Sequence, residues 1–199
     1  MRTLHHPRWR QRGVVLIFTL IILLILTIGA VALVRSMNTS LVSAGNLAFR
    51  RDLANQGEQA VSHVIAEFSP GGILAGSATT QADIPSSNYS AKMLGTNTQG
   101  VPTVLLGSDP AFTGTWTAGD LTGATPDVIV RYVIDRLCDA PGAPATVNCI
   151  QSSASSKPLD SLDTGALAPP SATVYRLTVR VSGPRSTQVF LQTTFTKPD

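Results

Sequence analysis

Charge is scarce in this chain. Asp, Glu, Lys and Arg make up 14% of its 199 residues against 43% hydrophobic, which excludes a coil held open by self-repulsion, although 16 Gly and 13 Pro imply much irregular backbone. Acid is missing altogether from residues 1–51, which carry seven Arg, whereas residues 52–199 hold eight basic and twelve acidic side chains, so the two parts bear +7 and −4. The isoelectric point of about 9.2 therefore belongs to the N-terminal end, and the body is acidic. Basic clusters with interleaved aromatics are also lacking in the body, which argues against direct nucleic-acid binding. The length allows one compact domain with an extension, or two small domains.

Motifs that carry chemistry are equally missing. There is no HExxH pair, no glycine-rich phosphate loop and no GxSxG elbow. Of the three histidines, His5 and His6 sit in the basic tail and His63 falls on the polar side of a helical pattern with no second ligand nearby in sequence. Asp160 and Asp163 share a polar loop, where carboxylates are ordinarily solvated. These absences predict a chain that is not an enzyme and holds no metal or cofactor.

Proline is absent between Pro7 and Pro70, so a helix can run through that whole interval. Within it, residues 14–34 are 21 consecutive uncharged residues, mostly Ile, Leu and Val. As a helix they reach roughly 31 Å, close to the thickness of the hydrocarbon layer, with every backbone polar group satisfied internally. Arg2, Arg8, Arg10 and Arg12 precede the run, which favours a cytoplasmic N-terminus and an exported body. A plain signal anchor, or a signal peptide cut at the small residues Ala30-Val31-Ala32, accounts for the same segment.

After Arg35 the apolar residues thin to a stripe: Leu41, Ala44, Leu47 or Ala48, Ala54, Val61, Val64 or Ile65, and Phe68. This predicts an amphipathic continuation that ends near Phe68, before Pro70-Gly71-Gly72. Gly29, Gly45 and Gly57 read as weak points where the helix melts or bends. Residues 71–125 read mainly as loop, with a short strand at Val104-Leu105-Leu106 and with Phe112, Trp116 and Leu121 pinning the excursion to a core.

Residues 128–137 are rich in β-branched side chains and predict a strand with one partly wetted face. Residues 173–182 alternate, with Tyr175, Leu177, Val179 and Val181 on one side, and Gly183-Pro184-Arg185-Ser186 separates them from a second strand at 188–196. The expectation is an antiparallel sheet of three to five strands covering the stripe of the helix. Cys138 and Cys149 are the only cysteines; in an exported body they either form a disulfide that clips the intervening loop or remain two unrelated thiols.

The segment Arg10-Gln11-Arg12-Gly13-Val14-Val15-Leu16-Ile17-Phe18, followed by its Ile and Leu run, resembles the signal segment of type IV pilins and pseudopilins. More narrowly, the N-terminal third, with Gly45-Asn46 and Gln56-Gly57-Glu58-Gln59-Ala60, and the terminal Tyr175-Arg176-Leu177-Thr178-Val179-Arg180 and Gln192-Thr193-Thr194-Phe195 resemble the PilX family of minor pilus assembly proteins. The resemblance implies an α+β, type IV pilin-like fold, a long N-terminal helix packed against an antiparallel sheet. Its parts would be a cytoplasmic leader (1–13), a transmembrane half-helix (14–34), an amphipathic half-helix (35–69) and an exported β-rich domain (70–199).

It further implies cleavage by prepilin peptidase between Gly13 and Val14, with Arg8, Arg10 and Arg12 as the basic residues of the leader, and N-methylation of Val14. Its implied partners are other minor pilins, the major pilin, a tip adhesin and the inner-membrane assembly platform. Major pilins carry glutamate at the fifth mature position, where this chain has Phe18. That departure points to a place at or near a filament tip and keeps a type II secretion pseudopilin as an alternative. A membrane-anchored scaffold or binding protein, and an exported hydrolase with an unrecognised site, complete the alternatives.

Overall fold

The computed structural model describes residues 13–152 and 172–198. The chain divides into two compact units, Met1–Phe49 and Arg50–Asp199. One helix, α1 (Val14–Phe68), contributes to both. In the first unit residues 14–48 are exposed on every side, so their Ile, Leu and Val side chains have no partner among the described residues. The hydroxyls of Thr19 and Thr27 donate to the carbonyls of Leu16 and Leu24 at 2.9 and 2.8 Å, which removes two polar groups from an otherwise apolar surface.

At the other end α1 stops at Phe68, as the Pro-Gly-Gly signal predicts. Gly72 donates its N–H to Ser69 at 2.9 Å, and a Cβ there would stand 2.2 Å from the carbonyl oxygen of Glu67. Only glycine lets the chain turn this closely over the helix end.

The second unit is built on a six-stranded sheet among the described residues. Its strands are β1 (Tyr89–Ser90), β2 (Leu121–Thr122), β3 (Ile129–Arg136), β4 (Gln151–Ser152), β5 (Ala172–Gly183) and β6 (Thr187–Pro198). The long ladders are antiparallel as expected: β3 with β5 from Ile129↔Ser182 to Arg136↔Tyr175, and β5 with β6 from Ala172↔Pro198 to Gly183↔Thr187. The two-residue strand β1 pairs parallel with β3, which makes the sheet mixed, and β1, β2 and β4 together raise the strand number above the expected range. Arg185 and Ser186 take positive φ values of 56° and 58° in the β5–β6 turn.

Both faces of the central strands are covered. Residues 53–68 of α1 lie over the face that carries Val130, Tyr132, Leu177 and Val181; Phe68 meets Tyr175 and Phe195 edge-on, with ring centroids 5.0 and 4.9 Å apart. The residues of α1 that are buried are Leu53, Gln56, Gly57, Ala60 and Val64. The expected stripe holds at Val64, with Val61 and Phe68 partly buried, whereas its members Leu41, Ala44, Leu47 and Ala48 are exposed. Gly57, expected as a weak point, is a point of close approach, where a Cβ would stand 2.3 Å from Leu191 Cδ1 and 2.8 Å from Val181 Cγ2.

The opposite face is covered by residues 94–116, whose Leu105, Phe112 and Trp116 form a buried cluster with Val133. The expected wetted face of β3 is therefore dry: Arg131, Val133 and Asp135 are all buried. Val104-Leu105-Leu106 does not form a strand. A 3₁₀ turn at Thr103–Leu105 follows Pro102 and directs Leu105 into the cluster, and a short helix, α2 (Asp109–Thr113), supplies Phe112. A long N-terminal helix with a mixed sheet packed on its second part is an α+β, type IV pilin-like architecture.

Candidate functional site

Three of the residues singled out in the sequence meet at the start of α1. Gly13 occupies a turn, Val14 is the first helical residue, and Phe18 follows one turn later on the same side. A Cβ at Gly13 would meet nothing within 4 Å, and Val14 and Phe18 are 59% and 61% exposed, so no described residue covers this junction. Arg8, Arg10, Arg12, His5 and His6 lie outside the described residues, as do Asp160 and Asp163. Among the described residues α1 is the one helix long and apolar enough to cross a membrane.

In the second unit Cys138 and Cys149 form a disulfide, with their Cα atoms 4.0 Å apart. The loop it closes is tied in several further ways. Asn148 donates its side-chain amide to Asp139 Oδ2 at 2.8 Å and its backbone N–H to Oδ1 at 3.1 Å. These bonds, the side-chain bond first, hold the Asp139 carboxyl below its ordinary range. Arg136 donates Nη1 to the Gly142 carbonyl at 2.7 Å, and Gly142 donates its N–H to Gln81 at 2.9 Å.

The arginines of β3 and β5 anchor the covering excursion, and nothing in a single strand pattern marked them for that task. Arg131 reaches Asp120 bidentately, Nε to Oδ1 at 2.7 Å and Nη2 to Oδ2 at 2.6 Å. Its Nη1 reaches Asp109 at 2.6 Å, while its guanidinium stacks 4.6 Å from the centre of the Phe112 ring. Arg180 donates to the Leu105 carbonyl at 2.6 Å and to Asp109 at 3.2 Å. The hydrogen bond from Arg131 is the main cause that lowers the Asp109 carboxyl, and the bond to Asp120 is the main one that raises Arg131. Deeper in, Arg176 donates Nε to Asp135 Oδ1 at 2.9 Å and Nη2 to Oδ2, and Oδ2 also accepts the Leu94 N–H at 2.9 Å.

Asp109 and Asp120 fasten the excursion to the sheet through arginine, whereas the Asp135–Arg176 pair joins β3 to β5 and reaches the excursion at Leu94. His63 contributes a smaller tie: its Nε2 lies 3.1 Å from Glu67 Oε1, and its ring meets Tyr132 edge-on. Burial first, and the Glu67 charge second, push the Tyr132 phenol up from its ordinary range. Among the described residues no three His, Cys, Asp or Glu side chains gather to hold a metal ion.

The chain matches no protein-family model, no curated protein and no solved structure. Its geometry supports a membrane-associated structural protein with a pilin-like fold and a disulfide-clipped sheet domain.

Proposed function

We propose that this chain is a minor pilin of the PilX type, not an enzyme, which primes type IV pilus assembly from a position at or near the filament tip. The observation that carries the proposal is the junction at Gly13. A basic, acid-free tail ends at an open glycine, and the next residue begins a helix whose side chains are exposed through the whole uncharged run. Prepilin peptidase would cut between Gly13 and Val14 on the cytoplasmic face, Val14 would be methylated, and 14–34 would move from lipid into contact with the helices of neighbouring pilins. Helices solvated by lipid gain little from apolar burial alone, so such transfer is driven by packing and by satisfaction of polar groups.

Phe18 supports a place at or near the filament tip. A glutamate at that position would have to be paired within an apolar helical core, because an unpaired charge there is costly. Phe18 cannot neutralise the terminal amine of a subunit beside it, so the chain suits a site where that pairing is not required. The sheet domain, exported beyond the inner membrane, would select the neighbouring minor pilins and present a tip adhesin. Intact mass after coexpression with prepilin peptidase tests the proposal. A chain that starts at methylated Val14 supports it, and retention of residues 1–13 beside active peptidase overturns it.

A further inference from the structure

The sheet has one long edge that no described residue covers. β6 forms twelve consecutive pairs with β5, and its other side has no strand partner among the described residues. From Thr187 to Thr196 this edge has no proline and no charged side chain, Lys197 and Pro198 standing only at its end, and its register with β5 is unbroken by a bulge. Those are the devices by which exposed strands ordinarily avoid pairing with other chains. The far side of the sheet is unlike it, since β3 is already paired there with β1 and β2. Beside the open edge, α1 and the hairpin bound a groove of about 290 Å³ lined by Glu58, Val61, Leu177, Val179, Leu191 and Thr193.

We propose that β6 accepts an added strand from another protein: an extended segment that alternates aliphatic and polar residues and carries a basic side chain opposite Glu58. A row of backbone N–H and C=O groups at strand spacing is matched only by another extended backbone. The groove is floored by Leu177, Val179 and Leu191 and extends over residues 191–193 of β6, so it takes one aliphatic side chain from the middle of the guest, and the alternation of an extended strand sets the polar residues beside it. Glu58 is the one charged residue in the lining and is exposed, which sets the sign of the guest's charge.

A second copy of this chain does not fit the edge. Antiparallel pairing of two β6 strands about a two-fold axis would bring to each Glu58 an edge with no basic side chain between Thr187 and Thr196. Head-to-tail addition needs a free edge at β3, which β1 and β2 occupy. Strand addition does not depend on cleavage at Gly13, so the two proposals fail separately.

The test titrates the full chain in detergent micelles with a fluorescent peptide of about twelve residues, the length of β6, alternating Val and Thr around a central Lys. Saturable binding is expected, and none is expected for the same peptide N-methylated throughout. Glu58→Lys should weaken the Lys peptide about fivefold and strengthen a central-Glu peptide by a similar factor, the scale of one surface ion pair. Absence of binding, equal binding of the methylated peptide, or a Glu58→Lys effect of the same sign on both peptides overturns the proposal. So does a concentration-dependent dimer in sedimentation that Thr193→Lys dissolves, which would assign the edge to a second copy.

Discussion

Gly57 and Gly45 occupy the same helix and should respond oppositely to an added side chain. At Gly57 the space is taken by Leu191 and Val181, so Gly57→Val overpacks the helix–sheet contact and is expected to cost about 1–3 kcal/mol in denaturant unfolding of the full chain in micelles. At Gly45 nothing lies within 4 Å, and Gly45→Ala should raise helix stability by up to about 1 kcal/mol, read as higher helicity on heating. Asp135 is fully buried, and Asp135→Ala leaves Arg176 without its carboxylate, with an expected loss of about 3 kcal/mol or more. Asp109 differs because its side chain is 71% exposed. Its carboxyl is lowered from 3.8 in the fold, so its contribution is complete above that value and is lost as pH falls through the folded value. Trp116 fluorescence should therefore report loosening of the excursion at acid pH, with a smaller acid-dependent change in Asp109→Asn; an unchanged acid transition would count against this clamp. None of these partners is readable from local pattern. A search for large apolar residues passes over Gln56 and Gly57, and Arg131 meets Asp109 and Asp120 only after the excursion has folded back over the sheet.

The strands and the helix end were legible because each has a local cause. Alternation placed β5 and β6, β-branched density placed β3, and Pro70-Gly71-Gly72 ended α1 at Phe68. The excursion was legible only as an irregular segment with aromatic pins, since 3₁₀ turns and two-residue strands have too little length for periodicity to act on. That is also why these arginines read as a wetted face: arginine on alternate positions marks a solvated strand unless carboxylates are brought to it, and the excursion brings Asp109 and Asp120 to Arg131 and Arg180, while Arg176 meets Asp135 of the neighbouring strand β3. The disulfide works at this scale. It closes a loop of eleven residues' separation, and Cys138→Ala with Cys149→Ala should lower the stability of the sheet domain by about 2–3 kcal/mol. The ties from Asn148 to Asp139 and from Arg136 to Gly142 should keep the loop in place, so circular dichroism should show the same sheet content at a lower melting temperature. Loss of the sheet signal would mean that the disulfide, rather than those bonds, holds the loop.

For the whole molecule the decisive quantity is charge coupled to anchorage, because the competing fates of the N-terminus separate on those two axes. The full chain carries +3, and residues 1–13 hold four Arg and no acid, so their removal leaves −1. A retained signal anchor keeps its isoelectric point near 9.2 and stays with membranes. Cleavage after Ala32 also removes four Arg and no acid, but it takes away most of the uncharged run and releases an acidic, soluble body. Cleavage after Gly13 alone gives an acidic chain that still carries 14–34 and still sediments with membranes or filaments. Isoelectric focusing of membrane and soluble fractions, from cells with and without prepilin peptidase, therefore distinguishes all three. The expected outcome is an acidic, membrane-bound form that appears only with the peptidase and is abolished by Gly13→Leu. A basic membrane-bound form under every condition would leave a permanently anchored protein, because a helix still joined to four arginines cannot bring its N-terminus into an apolar filament core without burying their charge.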